Sequence, residues 1–159
     1  MLKALFLTTF VATGALSTAA FAQGDATAGE SDFRSCKSCH TISNGDEVIM
    51  RGGRTGPNLF GIIGRPAGSF EGFRYGSSMT AAGEAGLVWT EALVAEFVSD
   101  PTAFLRTYLD DSGARSKMTF KARSGGEDLA AYLASVSPMM EMEMEMGGDT
   151  DSEDAGDSN

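Results

Sequence analysis

The sequence between Gly24 and Pro138 predicts an all-α domain. Apolar residues recur there at three- and four-residue steps in separate short segments, and a capping residue or a proline bounds most of these segments. No stretch of useful length alternates in the two-residue rhythm of a strand. Four helices are expected, joined by glycine-rich connections.

The first helix opens at Asp25, whose carboxylate suits an N-cap, and places Gly29, Phe33 and Cys36 along one face. The second begins at Trp89-Thr90-Glu91, with Thr90 as cap and Leu93, Val94, Phe97 and Val98 as its apolar stripe. Pro101 stops it and fits the first position of a short third helix, capped by Asp100 and carrying Phe104, Leu105 and Tyr108. A capping box of Ser124 and Glu127 is expected to start the fourth, where Leu129, Tyr132, Leu133 and Val136 follow the helical spacing up to Pro138. From Thr41 to Gly76 the chain is glycine-rich and aperiodic. A loop of that length inside a small domain needs something to wrap, and a buried prosthetic group would supply the missing apolar surface.

The two ends read differently from the middle. Residues 1–22 have the pattern of an export leader: Lys3, an apolar run from Ala4 to Leu16, and Ala20-Phe21-Ala22 as a small-residue cleavage site, giving Gln23 as the mature start. An uncleaved anchor is the competing reading, but a bilayer span needs about 20 apolar residues and this run is shorter and interrupted. With no later span, the exported protein is expected to be soluble and periplasmic. The domain then occupies 23–138. Residues 139–159 begin with alternating methionine and glutamate, carry eight acids and no base, and read as a disordered, solvated tail. Most of the net charge of −10 belongs to that tail. Nothing in the charge pattern suggests nucleic-acid binding.

An oxidising compartment makes a disulfide the default for two cysteines. Here they stand in Cys36-Lys37-Ser38-Cys39-His40, the pattern of a c-type haem attachment site. Two thiols three residues apart can each add to one vinyl group of a single porphyrin, and the adjoining imidazole then lies beneath the iron. A dithiol redox pair would belong in a βαβ pattern, which is absent, and a zinc site would be one ligand short. His40 is the only histidine, so a sixth ligand from this chain would be methionine or lysine, with water or an open position as the alternatives. Met118 is a candidate, lying in polar and basic loop sequence ahead of the last helix; Met50, Met79 and the tail methionines compete with it.

From Gly24 to Pro138 the sequence resembles the class I cytochromes c of the small bacterial and mitochondrial type. The likeness is carried by Gly29 with Phe33, the haem motif, Thr55-Gly56-Pro57-Asn58-Leu59, Gly64-Arg65, Phe73 with Tyr75, Trp89, Lys117-Met118 with Phe120, and Leu129 with Tyr132 and Leu133. The resemblance implies a cytochrome c fold around one covalent haem c, with His40 and Met118 as iron ligands. It further implies that Pro57 accepts a hydrogen bond from His40, that Arg65, Tyr75 and Trp89 serve the haem propionates, and that Phe120 covers the haem edge. Gly29, Phe33, Leu129 and Tyr132 should join the first and last helices. Phe97 departs from a tyrosine found in many relatives and Ser116 from a common threonine, and extra residues lie around 43–53 and 110–115.

Two strong axial ligands leave no open position on iron, so the expected activity is outer-sphere transfer of one electron, without enzymatic turnover. The resemblance implies a monomer that takes electrons from a cytochrome bc complex and gives them to a terminal oxidase or photosynthetic reaction centre. Arg115, Lys117, Lys121 and Arg123, with Arg51, Arg54 and Arg65, lie in stretches free of acids and suggest a positive docking face. The rival reading is a haem enzyme or gas-binding protein in which Met118 is displaced. A second alternative concerns the tail, whose thioethers could bind cuprous ion.

Overall fold

The structure, a computed structural model, describes residues 24–137. The expected leader over 1–22 and the acidic segment 139–159 lie outside the described residues. Five α-helices and one small hairpin make up the domain: α1 (Ala26–Asp32), β1 (Ile42–Asn44), β2 (Glu47–Met50), α2 (Ser77–Glu84), α3 (Glu91–Ser99), α4 (Pro101–Leu109) and α5 (Gly126–Ser135). Among the described residues no helix is long and apolar enough to cross a membrane.

Local chemistry sets most of the helix ends. The Asp25 carboxylate accepts from the N–H groups of Thr27 and Ala28 at 2.8 and 3.3 Å. Thr90 accepts from Leu93 at 3.2 Å, and Asp100 from Ala103 at 3.1 Å, with Pro101 opening α4. Each cap satisfies donors that the helix itself leaves unpaired.

Four expectations require correction. α1 ends at Asp32, and a 3₁₀ turn over Phe33–Ser35 leads into Cys36, so the attachment motif lies beyond the helix. α5 has no Ser124 capping box: its N-cap is Gly125 at φ 73°, and no side chain caps the first turn. α2 was not expected, because only Ala82 of its eight residues is buried and the sequence lacks an apolar stripe. The hairpin also was not expected. It is two short strands, β1 buried chiefly through Ile42 and β2 largely exposed, with an irregular register between Ile42 and Ser43. Asn58 fastens it to the following loop, accepting from Ser43 N–H at 3.1 Å and donating to Ser43 O at 2.7 Å.

The principal helix contact crosses α1 and α5. Gly29 is buried there, and a Cβ on it would lie 2.8 Å from the Tyr132 Cβ and against the Asp128 carbonyl, so only glycine permits this approach. Phe33 is fully buried, with its ring centroid 5.6 Å from that of Tyr132. Leu129 and Leu133 join the same core, which bears out the expected pairing of the first and last helices. On the other side, Trp89, Phe97 and Phe104 form an aromatic cluster with centroid separations of 5.1, 5.6 and 5.8 Å. Phe97 meets both Trp89 and Phe104 edge-on, ring edge against ring face, while Trp89 and Phe104 stack, both arrangements that aromatic quadrupoles favour.

Candidate functional site

Between these two packed regions lies a cavity of about 310 Å³. Phe33, Val94, Phe97, Leu129 and Leu133 supply its apolar back wall, and the loops around Cys36–His40, Thr55–Leu59, Phe73–Gly76 and Arg115–Phe120 form its mouth. Helices α3 and α5 therefore supply much of the cavity's apolar wall. The glycine-rich sequence closes over it.

The attachment turn is held from within and from outside. His40 N–H donates to Cys36 O at 2.9 Å and Cys39 N–H to the same carbonyl at 3.1 Å. Gly53 N–H reaches Lys37 O and Gly56 N–H reaches Cys39 O, both at 2.8 Å. Both cysteines line the cavity, and neither is in a disulfide. Their settings differ. Burial pushes the Cys36 thiol up, outweighing the Ser35 hydrogen bond, whereas hydrogen bonds from Thr55 and then Ser38 lower that of Cys39.

His40 is half-buried, and its Nδ1 lies 2.8 Å from Pro57 O. A carbonyl can only accept, so Nδ1 carries the hydrogen and Nε2 keeps its lone pair. Burial holds the imidazole below its ordinary pKa, opposed by the Pro57 carbonyl. Gly56 lies flat against the ring: a Cβ there would come 2.6 Å from Nδ1 and 2.7 Å from Nε2. The imidazole is thus fixed in tautomer and in orientation, as a ligand to iron requires.

The other expected residues divide. Met118, Tyr75, Trp89 and Phe120 all line the cavity; Trp89 is 5% exposed and Phe120 41%. Met79, on the unexpected helix α2, lines it as well, whereas Met50 does not. Ser116 positions the Met118 backbone, its hydroxyl accepting from Met118 N–H at 3.0 Å. Arg65 is not on the wall. Its guanidinium donates to Asn58 O at 2.9 Å and Phe60 O at 3.1 Å and sits 5.1 Å from the centre of the Phe70 ring. Its charge nevertheless reaches Tyr75, where burial raises the phenol and Arg65 offsets part of the rise.

Several wall residues carry no individual signal in the sequence. Val94, Val98 and Phe97 were visible only as a helical stripe, and Phe73 only through the family likeness. Among the described residues no cluster of three or more His, Cys, Asp or Glu could hold a metal ion by itself. Two thiols, one oriented imidazole and two thioethers around an apolar slot instead suit a flat, apolar, iron-bearing group attached through sulfur, so the chain fits a haem.

Comparison with known proteins agrees. No family model matches the chain. Cytochrome c-551 of Roseobacter denitrificans is 64% identical over 118 residues, covering 74% of this chain and 84% of that protein. The chain belongs to the class I c-type cytochromes. Cytochrome c2 of Rhodobacter capsulatus is 50% identical over 127 residues, 79% of this chain and 92% of that one. The crystal structure of cytochrome c2 from the same species superposes with a TM-score of 0.70, at 51% identity over 71% of this chain and 98% of its own. As in that family, this cytochrome is an electron carrier and not an enzyme, and it carries one covalently bound haem c.

Proposed function

We propose that this cytochrome is a periplasmic shuttle for single electrons, with haem joined to Cys36 and Cys39 and iron held between His40 and Met118. Bound haem supplies the one-electron couple. Cys36, Cys39, His40 and Met118 would hold the group, and the apolar wall would keep water from it. The observation that carries the reading is the pairing of an oriented imidazole, tied through Nδ1 to Pro57, with Met118 on the wall of the same apolar cavity.

Tyr75 and Trp89 are the donors for the haem carboxylates, with Arg65 contributing charge from behind the wall. Burying carboxylates without such partners would be costly. Met118 is preferred to Met79 because it sits in the loop after the aromatic cluster, where Ser116 fixes its backbone, whereas Met79 lies on helix α2. Phe120 covers the exposed edge. Export follows from the leader pattern of 1–22, with cleavage after Ala22. The partners are membrane redox complexes: a cytochrome bc complex as donor, and a terminal oxidase or photosynthetic reaction centre as acceptor, met by the basic loops of the cavity mouth.

The test is a redox titration of the mature holoprotein followed by optical spectroscopy. Met118→Ala should abolish the sulfur-to-iron charge-transfer band, and Met79→Ala should retain it. A ferrous protein that binds carbon monoxide readily at neutral pH, or a band that survives Met118→Ala, refutes the ligand assignment.

A further inference from the structure

We propose that the acidic segment 139–159 of this chain occupies the basic mouth of the haem cavity in cis, where it competes with acidic partners for the docking face. The inference rests on the docking reading above and adds an internal competitor to it.

The charge of the mouth is one-sided. Arg115 and Lys117 line it, no acid does, and the adjoining loop stretches 35–40, 54–59, 73–76 and 119–121 add Lys37, Arg54, Arg74 and Lys121 without an acid. Among the described residues only Lys121 has a carboxylate in ion-pair range, Asp100 at 2.6 Å. Arg115 directs its guanidinium to the carbonyls of Ser112, Gly113 and Ala114 at 3.2, 3.0 and 2.9 Å, and Lys117 donates to Arg74 O at 2.9 Å. These bonds satisfy hydrogens and leave the positive charge uncompensated. Like charges gathered around one opening raise the local potential and attract any anion within reach.

The chain itself carries that anion. Segment 139–159 contains Glu141, Glu143, Glu145, Asp149, Asp151, Glu153, Asp154 and Asp157 without a single Lys, Arg or His. Its point of departure is fixed: Ser137 is 3% exposed, and its hydroxyl accepts from Gly61 N–H at 2.7 Å, close in sequence to Pro57 and Leu59 of the cavity wall. From there 22 residues, 138–159, follow. In general, 22 residues without secondary structure span roughly 26 Å on average and at most about 70 Å. A domain of this size has a radius of gyration near ~13 Å, so the mouth lies within range. Tethering gives an effective concentration on the order of millimolar, well above that of a free partner. Methionines 139, 140, 142, 144 and 146 add thioethers that can meet the exposed ring of Phe120 at the mouth.

Such a contact is held by charge, so salt should release it. The distance over which it acts falls from about 30 Å at 0.01 M ionic strength to about 3 Å at 1 M. A partner with a denser acidic surface would displace the segment, whereas a weakly acidic one would be excluded.

The experiment uses the full-length ferrous holoprotein labelled with ¹⁵N and a variant in which the eight acids after Pro138 become Asn or Gln. At low ionic strength the amide shifts should differ at Lys37, Arg54, Arg74, Arg115, Lys117 and Phe120, and the differences should vanish at high salt. Oxidation by the ferricyanide anion should be roughly threefold or more faster in the neutralised variant at low ionic strength, and equal at high salt. In an Arg115→Gln, Lys117→Gln background the gain from neutralisation should shrink, because its target is gone. Shift differences confined to α5 and residues 57–61, or an undiminished gain in that background, would mean that the segment acts only through net charge and overturn the proposal. Failure of the docking reading would look different: ferricyanide oxidation of the neutralised variant itself would be insensitive to ionic strength.

Discussion

Gly56 offers a direct way to test how the site is built. In Gly56→Ala the new Cβ meets the His40 imidazole, 2.6 Å from Nδ1 and 2.7 Å from Nε2, so the ring must turn or the loop must lift. Forcing a methyl group into packed structure costs about 1–3 kcal/mol. Turning the ring also breaks the 2.8 Å bond to Pro57 O, worth about 0.5–1.5 kcal/mol. Against this, alanine restricts the unfolded chain and returns about 0.4–1 kcal/mol. The expected net loss is therefore about 0.5–4 kcal/mol. Guanidinium unfolding of the holoprotein should show it as a lower midpoint with an unchanged slope. Proton NMR of the ferrous form should show the His40 Nδ1–H resonance moved or lost to exchange. A variant as stable as the parent, with that resonance unaltered, would show that Gly56 is not the cradle of the ring.

Further outcomes follow from the same packing. Gly29→Ala should lose about 1–3 kcal/mol, although alanine is the better helix former by up to about 1 kcal/mol, because its methyl group would wedge α1 from α5; a neutral or stabilising result in chemical denaturation would count against that contact. Phe33→Ala empties a fully buried position beside Tyr132 and should cost about 3–5 kcal/mol by the same assay, and a loss under 1 kcal/mol would show the site to be slack. Asp100 is held below its ordinary carboxyl value of 3.8, first by the hydrogen bond from Lys121 and then by that from Ala103. Its contribution is therefore complete above the ordinary value and fades as the pH falls through the lower folded value. Asp100→Asn should lower the melting temperature at neutral pH and match the parent in strong acid; a difference that persists there would assign the effect to the cap alone.

How far each feature could be read depended on how local its cause is. Asp25, Thr90 and Asp100 cap the helices they were expected to cap, because a carboxylate or hydroxyl acts on N–H groups two or three residues away. The core face of α5 was legible for the same reason: Leu129, Tyr132 and Leu133 repeat at helical spacing and are buried. Ser124 failed as a cap because the chain enters α5 through Gly125 in the left-handed region. Helix α2 escaped notice because a helix with one buried residue has no stripe to reveal, and the hairpin because Asn58, outside both strands, clamps it.

The attachment chemistry was set within five consecutive residues. Cys36, Cys39 and His40 are brought together by the turn itself, so their spacing alone pointed to a covalent haem. Pairing Pro57 with His40 required the family likeness, and the structure supplied the bond. Other features belong to the tertiary structure alone: that Met79 shares the cavity with Met118 while Met50 does not, that Arg65 stands behind the wall, and that Arg115 and Lys117 are the bases that line the cavity. The physical reason is distance along the chain. Bond geometry and hydrogen bonds to near neighbours are written in short stretches of sequence, whereas a cavity wall is fixed only when remote segments compete for the same apolar volume and one packing wins.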